Sequence, residues 1–342
     1  MVLALEKQWI WDSWYAHDGI RWHAFFLKAD KSLINPDLRH FNVSQGHAVS
    51  HDLVDWEHLG TCFAPSETEA WDDFTTWTGS VVQDEAGLWH LFYTGARKSE
   101  EGLYQRIGHA TSTDLHNWTR IGDGPCLDLI GPNAVHYEAE HIRGFWHDRA
   151  MRDPWVMRDP EGDGWCMFFT ARAPGIAEAN AGGAIGFATS SDLTTWELQP
   201  PVFIGGFGQL EVPQVFEKNG RWYCLFCTAA EHWSKAQGEA APAGPVTGTH
   251  YLMSETGPRG PWEIAPGPFF DGDLPCRRYA ARIVEIGDAP DTHLVIMGFP
   301  RHRRRRAFRR LRDGSRTGHH RRQRPPVRGA GCRGSGVGAW QP

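Results

Sequence analysis

Trp89-His-Leu-Phe-Tyr-Thr-Gly, followed by Ile107-Gly-His-Ala-Thr-Ser-Thr-Asp-Leu-His-Asn-Trp118, is one copy of a pattern that this 342-residue chain repeats. An earlier copy reads Trp22-His-Ala-Phe-Phe-Leu, then Gly46-His-Ala-Val-Ser-His-Asp-Leu-Val-Asp-Trp56. A later one reads Trp165-Cys-Met-Phe-Phe-Thr-Ala, then Ile185-Gly-Phe-Ala-Thr-Ser-Ser-Asp-Leu-Thr-Thr-Trp196. A fourth, looser copy starts at Trp222 and ends at Trp262, and a fifth begins at Thr292 and is not completed. The leading tryptophans are 67, 76 and 57 residues apart, too long for a helical or leucine-rich repeat and suited to a blade of four short strands. A further short apolar run precedes each aromatic run from the second copy on, separated from it by turn residues such as Asp84-Glu-Ala-Gly87 and Glu217-Lys-Asn-Gly220, the signature of a hairpin. No long amphipathic helix is expected. The reading is an all-β, five-bladed β-propeller over residues 1–300 with an incomplete fifth blade. Asp52, Asp114, Asp192 and the tryptophans after them are read as a turn plus a packing ring.

Composition narrows the function. Hydrophobic residues make up 41% and charged residues 22%, a globular balance, and no apolar run is long enough to span a membrane. The first eleven residues carry Glu6 and Lys7 and lack a basic segment followed by a long apolar run, so no secretory signal and a cytoplasmic location are expected. The net charge of −6 hides a split: from Arg301 onward there are 14 Arg and one acid, leaving residues 1–300 at −19. An acidic body argues against nucleic acid as partner. The Arg/Gly/Pro-rich tail, 301–342, lacks apolar alternation and is expected to be disordered. Its composition fits a reading-frame change in GC-rich coding sequence; a genuine basic arm is the alternative.

Seven cysteines without a regular framework suit a reducing compartment, and Cys224-x-x-Cys227 lies in an apolar run that reads as a buried strand. The 18 histidines show no metal-ligand spacing, so each, His47 and His109 included, is read as solvated or packing. Neither a metal nor a cofactor is expected.

In a propeller the innermost strands line one channel. About ten residues ahead of each aromatic run stand Trp11-Asp12-Ser13, Trp77-Thr78-Gly79-Ser80, Arg152-Asp153-Pro154, Glu211-Val-Pro213-Gln214 and Arg277-Arg278-Tyr279. Asp12, Asp153 and Glu211 lie 10, 12 and 11 residues before the next aromatic run, which reads as equivalent repeat positions meeting at one axis. Convergent carboxylates suit glycoside cleavage, in which one protonates the leaving oxygen and a second attacks the sugar carbon or activates water. Crowding drives their pKa values apart. Trp11, Trp77, Ser80, Arg152, Gln214 and Tyr279 are expected to line the sugar pocket.

Trp11-Asp12-Ser13-Trp14, Trp77-Thr78-Gly79-Ser80, Arg152-Asp153-Pro154 and Glu211-Val-Pro213, in this order over residues 8–300, resemble the motifs of the five-bladed propeller glycosidases of glycoside hydrolase families 32, 68 and 43. The resemblance implies that Asp12 is the nucleophile of the fructoside-cleaving families, or the general base of family 43. It likewise makes Asp153 the group that binds sugar hydroxyls and stabilises the transition state, Arg152 its orienting partner, and Glu211 the general acid/base. The implied activity is retaining cleavage of a small β-fructoside such as sucrose or a fructan. The rivals are an inverting arabinosidase or xylosidase and a propeller that binds sugar without catalysis. Oligomeric state and hydrolysis versus transfer are left open.

Overall fold

A computed structural model describes residues 3–33, 35–241, 243–273, 278–287 and 292–300. Contacts divide the chain into Met1–Leu311 and Arg312–Pro342, and the second unit lies wholly outside the described residues, as does the tail from 301. The expectations of a disordered, frame-shifted tail and of an unfinished last blade fall on that segment.

The fold is an all-β propeller. Its first sheet holds β1 (Gln8–His17), β2 (Trp22–Asp30), β3 (Ser44–Ser50) and β4 (Glu57–Phe63). The second holds β5 (Thr75–Gln83), β6 (Trp89–Ala96), β7 (Arg106–Ser112) and β8 (Thr119–Arg120). The third holds β9 (Arg152–Arg158), β10 (Trp165–Arg172), β11 (Gly183–Ser190) and β12 (Glu197–Ile204). The fourth holds β13 (Glu211–Lys218), β14 (Arg221–Thr228), β15 (Thr247–Ser254) and β16 (Glu263–Ile264), with β17 (Asp271–Asp273) also paired to β15. Two further strands, β18 (Arg278–Ile286) and β19 (His293–Pro300), pair with each other. Every pairing within the sheets is antiparallel, so each sheet is a meander of hairpins. The innermost strands neighbour one another in a ring: β1 packs on β5, β5 on β9, β9 on β13, β13 on β18, and β18 returns to β1.

The repeat is legible in the packing. Gly46, Gly108 and Gly186 of the third strands sit opposite Phe26, Tyr93 and Phe169, whose rings lie where a Cβ would stand, at 2.3, 2.4 and 2.2 Å. Any larger residue there would have to displace a buried aromatic ring. The Ser-Asp-Leu-x-x-Trp elements are turns, as read. Asp114 Oδ1 accepts from the N–H groups of His116 and Asn117, and Asp192 Oδ1 from those of Thr194 and Thr195, each at 2.8 Å. Leu53, Leu115 and Leu193 take a positive φ there, and Trp196 packs its ring edge-on against Phe92 of the preceding sheet. The Cys224/Cys227 pair lies on the buried strand β14 with both thiols free.

Buried imidazoles run through the first two sheets as hydrogen-bonded chains. Asp18 accepts from His23, His23 Nδ1 meets His47 Nε2 at 2.9 Å, and His47 Nδ1 meets His116 of the second sheet's turn at 3.0 Å. The second sheet repeats this with Asp84, His90 and His109. Burial, with repulsion from the neighbouring imidazole, pushes His47 and His109 each down to about 3, so both are neutral. Of the two roles expected for them, solvated or packing, both take the packing one, with hydrogen bonding added.

One irregularity recurs in every sheet and positions the chemistry. The register between first and second strands slips after Trp11, after Trp77, around Phe169, around Phe226 and around Gly298. Each slip is a bulge in the innermost strand. Asp153, Val212 and Ala280 hold positive φ values of 59°, 55° and 50° within it. For a β-branched residue such as Val212 that backbone costs roughly 1–3 kcal/mol, and such strain collects where a structure is over-determined by its surroundings.

Candidate active site

The bulges aim side chains at one place. Trp11, Trp77, Arg152, Glu211 and Tyr279 all occupy the position just before the slip, one from each innermost strand. Asp12 and Asp153 sit one residue further, inside the bulge. This corrects the expectation that the three carboxylates are equivalent in the repeat. Glu211 is equivalent to Arg152, and the local slip brings it into the same cluster as the two aspartates.

Arg152 is the hub. It is buried, and its Nη2 donates to Glu211 Oε1 at 2.8 Å and to Gln209 at 2.6 Å. Its Nε lies 3.6 Å from Asp153 and its Nη1 3.7 Å from Asp148. The resemblance makes Arg152 the partner of Asp153; its tighter contact is with Glu211. Tyr279 donates its hydroxyl proton to the other oxygen of Glu211. Asp153 Oδ2 accepts from Thr170 at 3.0 Å and from the Val212 N–H at 3.1 Å, while its own N–H donates to Thr94. Asp12 accepts a 2.6 Å hydrogen bond from the hydroxyl of Thr78, the bulge residue of β5.

These surroundings set the proton's place. Burial raises Asp12, against the Thr78 hydrogen bond, and the charge of Glu211 raises it further. Burial, with the charges of Glu211 and Asp12, pushes Asp153 up to about 7 against the pull of Arg152. Burial would also raise Glu211, but the charge of Arg152 and the hydrogen bonds from Tyr279 and Arg152 outweigh it and hold Glu211 below the usual carboxylate range. The free site therefore keeps Glu211 ionised and lets Asp153 hold a proton at neutral pH. Beside Glu211, burial keeps His147 and His232 neutral, and His232 is tied to the hub through Gln209 at 2.7 Å.

Two expected pocket residues serve elsewhere. Both amide atoms of Gln214 bond the backbone of Ile283 on the next innermost strand at 2.7 Å, and Ser80 Oγ accepts from the Val156 N–H at 3.1 Å. Both are buried and join neighbouring sheets, so neither is kept among the sugar-contacting residues. Trp11 and Trp77 are partly exposed beside the 3-10 turn Pro36–Phe41, where Trp77 donates to the His40 carbonyl at 2.7 Å. Thr78, Gln209, Thr170 and Gln105, whose Oε1 accepts from Arg152 Nη1 at 3.2 Å, were missed by sequence reasoning. Thr78 could have been found as the middle residue of Trp77-Thr78-Gly79, where Gly79 is forced because a Cβ would lie 2.1 Å from the Phe92 carbonyl.

A ring of antiparallel sheets with carboxylates converging from three of its innermost strands defines an all-β propeller with an acidic site. The profile of the glycosyl hydrolases family 32 N-terminal domain matches residues 12–241. The chain belongs to that family. Sucrose-6-phosphate hydrolase of Escherichia coli is 27% identical over 215 residues, 60% of this chain and 38% of that protein. A levansucrase of Zymomonas mobilis is 26% identical over 302 residues, 77% of this chain and 68% of that protein. The inulosucrase of Halalkalicoccus jeotgali, solved bound to kestose, shares the fold with a TM-score of 0.65 at 22% identity, covering 86% of this chain and 77% of that one. The chain spans about two fifths or less of the length of several of the relatives it matches.

Proposed function

We propose that this protein cleaves a small β-fructoside, of the sucrose or fructan kind, by a retaining double displacement. The observation that carries the reading is the convergence of three carboxylates from three sheets on one site, two of them held by a single guanidinium. Asp12, held by Thr78, attacks the anomeric carbon and forms a covalent fructosyl ester; Glu211 gives the leaving oxygen its proton and then takes one from water. Asp153 binds sugar hydroxyls and, once ionised, stabilises positive charge at the anomeric carbon. In the free site Asp153 can hold a proton at neutral pH. Sugar hydroxyls donating to Asp153 favour its ionised form, and the proton then belongs to Glu211, where the reaction needs it. Trp11 and Trp77 offer apolar faces to the sugar. The strands β18 and β19 are read as the first half of a fifth blade.

The test is a screen of sucrose, levan, inulin, arabinan and aryl-pentosides, run with the unmutated protein and with Asp12→Asn. Turnover of a fructoside that falls at least 10³-fold in Asp12→Asn is expected. Turnover confined to pentosides promotes the arabinosidase reading, and full activity in Asp12→Asn overturns the assignment of the nucleophile.

A further inference from the structure

Arg282 lies between Ala281 and Ile283 in the strand Arg278–Ile286, and it is 1% exposed, whereas the strand's other charged residues, Arg278 and Glu285, are not buried. Neither Ser80, Gln214 nor any of the motifs described above explains why it is there. Its Nη1 donates to the carbonyls of Val212 and Pro213, at 3.2 and 2.6 Å, and its guanidinium lies 5.2 Å from the ring centre of Trp155. Among the described residues its Nε and Nη2 find no hydrogen-bond partner. Val212 and Pro213 form the bulge that follows Glu211, and the N–H of Val212 is one of the two donors on Asp153. The same strained residue, at φ 55°, thus accepts from Arg282 on one side and donates to Asp153 on the other.

A buried cation with two unused donors is costly unless negative charge stands near it. The groups that face it are Asp12 and Tyr15 of β1, Asp153 of β9 and Cys227 of β14. Burial pulls the guanidinium's pKa down and the charges of Asp153 and Asp12 pull it back up. The two arginines share the cluster: Arg152 favours the ionised forms of Glu211 and Asp153, and Arg282 those of Asp153 and Asp12.

We propose that Arg282 is a positioning residue for the carboxylate cluster, clamping the Val212–Pro213 bulge that sets Glu211 and Asp153, and supplying the positive charge that keeps Asp12 ready for attack. The inference rests on the reading of these carboxylates as catalytic, and it predicts a direct change in their titration whatever the substrate.

The experiment compares Arg282→Met and Arg282→Lys with the unmutated protein. The first readout is infrared titration of the buried protonated carboxyl. Methionine, which removes the charge, should raise the pH at which that band disappears by about 1 unit, and lysine, which keeps the charge, should leave it near its original place. The second is steady-state kinetics on the fructoside cleaved fastest. Methionine should lower kcat about 100-fold with KM changed less than threefold, and should move the acid limb of kcat/KM up with the infrared midpoint. Lysine, lacking the two-carbonyl clamp, should keep the acid limb and lose about tenfold in kcat. A structural role alone would lower the melting temperature of both variants while leaving the titration and the kcat of the folded fraction unchanged, and that result overturns the proposal. If Arg282→Met does not fold, Arg282→Lys decides: wild-type kcat in a folded lysine variant overturns it. Loss of fructosidase activity in the unmutated protein would remove the functional reading, while an unmoved infrared midpoint would remove this inference alone.

Discussion

Acid should loosen this propeller along the imidazole chains, and the effect can be isolated at His109. The side chain is 2% exposed, stacks on Phe92 at 4.6 Å, and shares a hydrogen bond between its Nε2 and His90 Nδ1 at 2.8 Å, while its Nδ1 finds no partner among the described residues. Burial and the neighbouring imidazole hold its pKa at about 3, against about 6.5 in an unfolded chain. The folded state therefore binds fewer protons than the unfolded one below pH 6.5, and stability is lost as pH falls through that value towards 3. Between pH 7 and pH 5 the loss from this one group is roughly 2 kcal/mol. Asp153 acts with the opposite sign in the same window. Its folded pKa of about 7 lies above its unfolded value, so the folded state takes up a proton there and gains stability as pH falls. The whole-protein slope mixes these contributions, but the comparison of His109→Gln with the unmutated protein cancels all but the first. Urea unfolding followed by tryptophan fluorescence at pH 7 and pH 5 should show a fall that is about 2 kcal/mol smaller in the variant. An equal fall in both proteins would refute the argument that buried neutral imidazole sets the acid limit.

Three further outcomes follow from the site and its frame. Thr78→Val removes the 2.6 Å donor on Asp12, and the carboxyl pKa should climb further, lowering kcat about tenfold with little change in KM and shifting the acid limb of the pH–rate profile upward. Gln214→Leu breaks both bonds to Ile283 and leaves that residue's N–H and C=O unpaired, so unfolding should become easier by about 2–4 kcal/mol while kcat and KM of the folded fraction stay the same. Changed kinetics there would return Gln214 to the pocket. Glu211→Ala should still cleave substrates with very good leaving groups, and azide should accelerate its second step, since neither route needs the acid/base.

Much of the architecture could be read from the chain because the repeat is carried by residues with strong local meaning. The aromatic runs, the Gly that receives an aromatic ring and the Ser-Asp-Leu-x-x-Trp turn each solve the same packing problem in successive sheets, so their spacing reports the strand order. Asp12, Asp153, Glu211, Arg152 and Tyr279 were legible for a related reason: each stands about ten residues ahead of an aromatic run, in the strand that precedes it. What could not be read was the bulge itself. A one-residue slip changes which face a side chain points to, and the sequence distance to the next aromatic run does not record it. Hence three carboxylates looked equivalent when Glu211 aligns with Arg152. Ser80 and Gln214 misled because a polar residue beside a motif looks like a ligand contact, whereas here each satisfies a backbone group of the neighbouring sheet. Arg282 was passed over because its neighbours in sequence are apolar, and its reason for being charged lies in carboxylates contributed by β1 and β9.

The stereochemistry of transfer to methanol tests the account most directly. With Asp12 as nucleophile, a covalent fructosyl ester is attacked from the face the leaving group left, so NMR of the methyl glycoside formed in aqueous methanol from the best fructoside substrate should show the β-anomer as the first product. Methyl α-fructoside, or inverted free sugar with no methanol adduct, would contradict a nucleophilic Asp12 and with it the retaining mechanism.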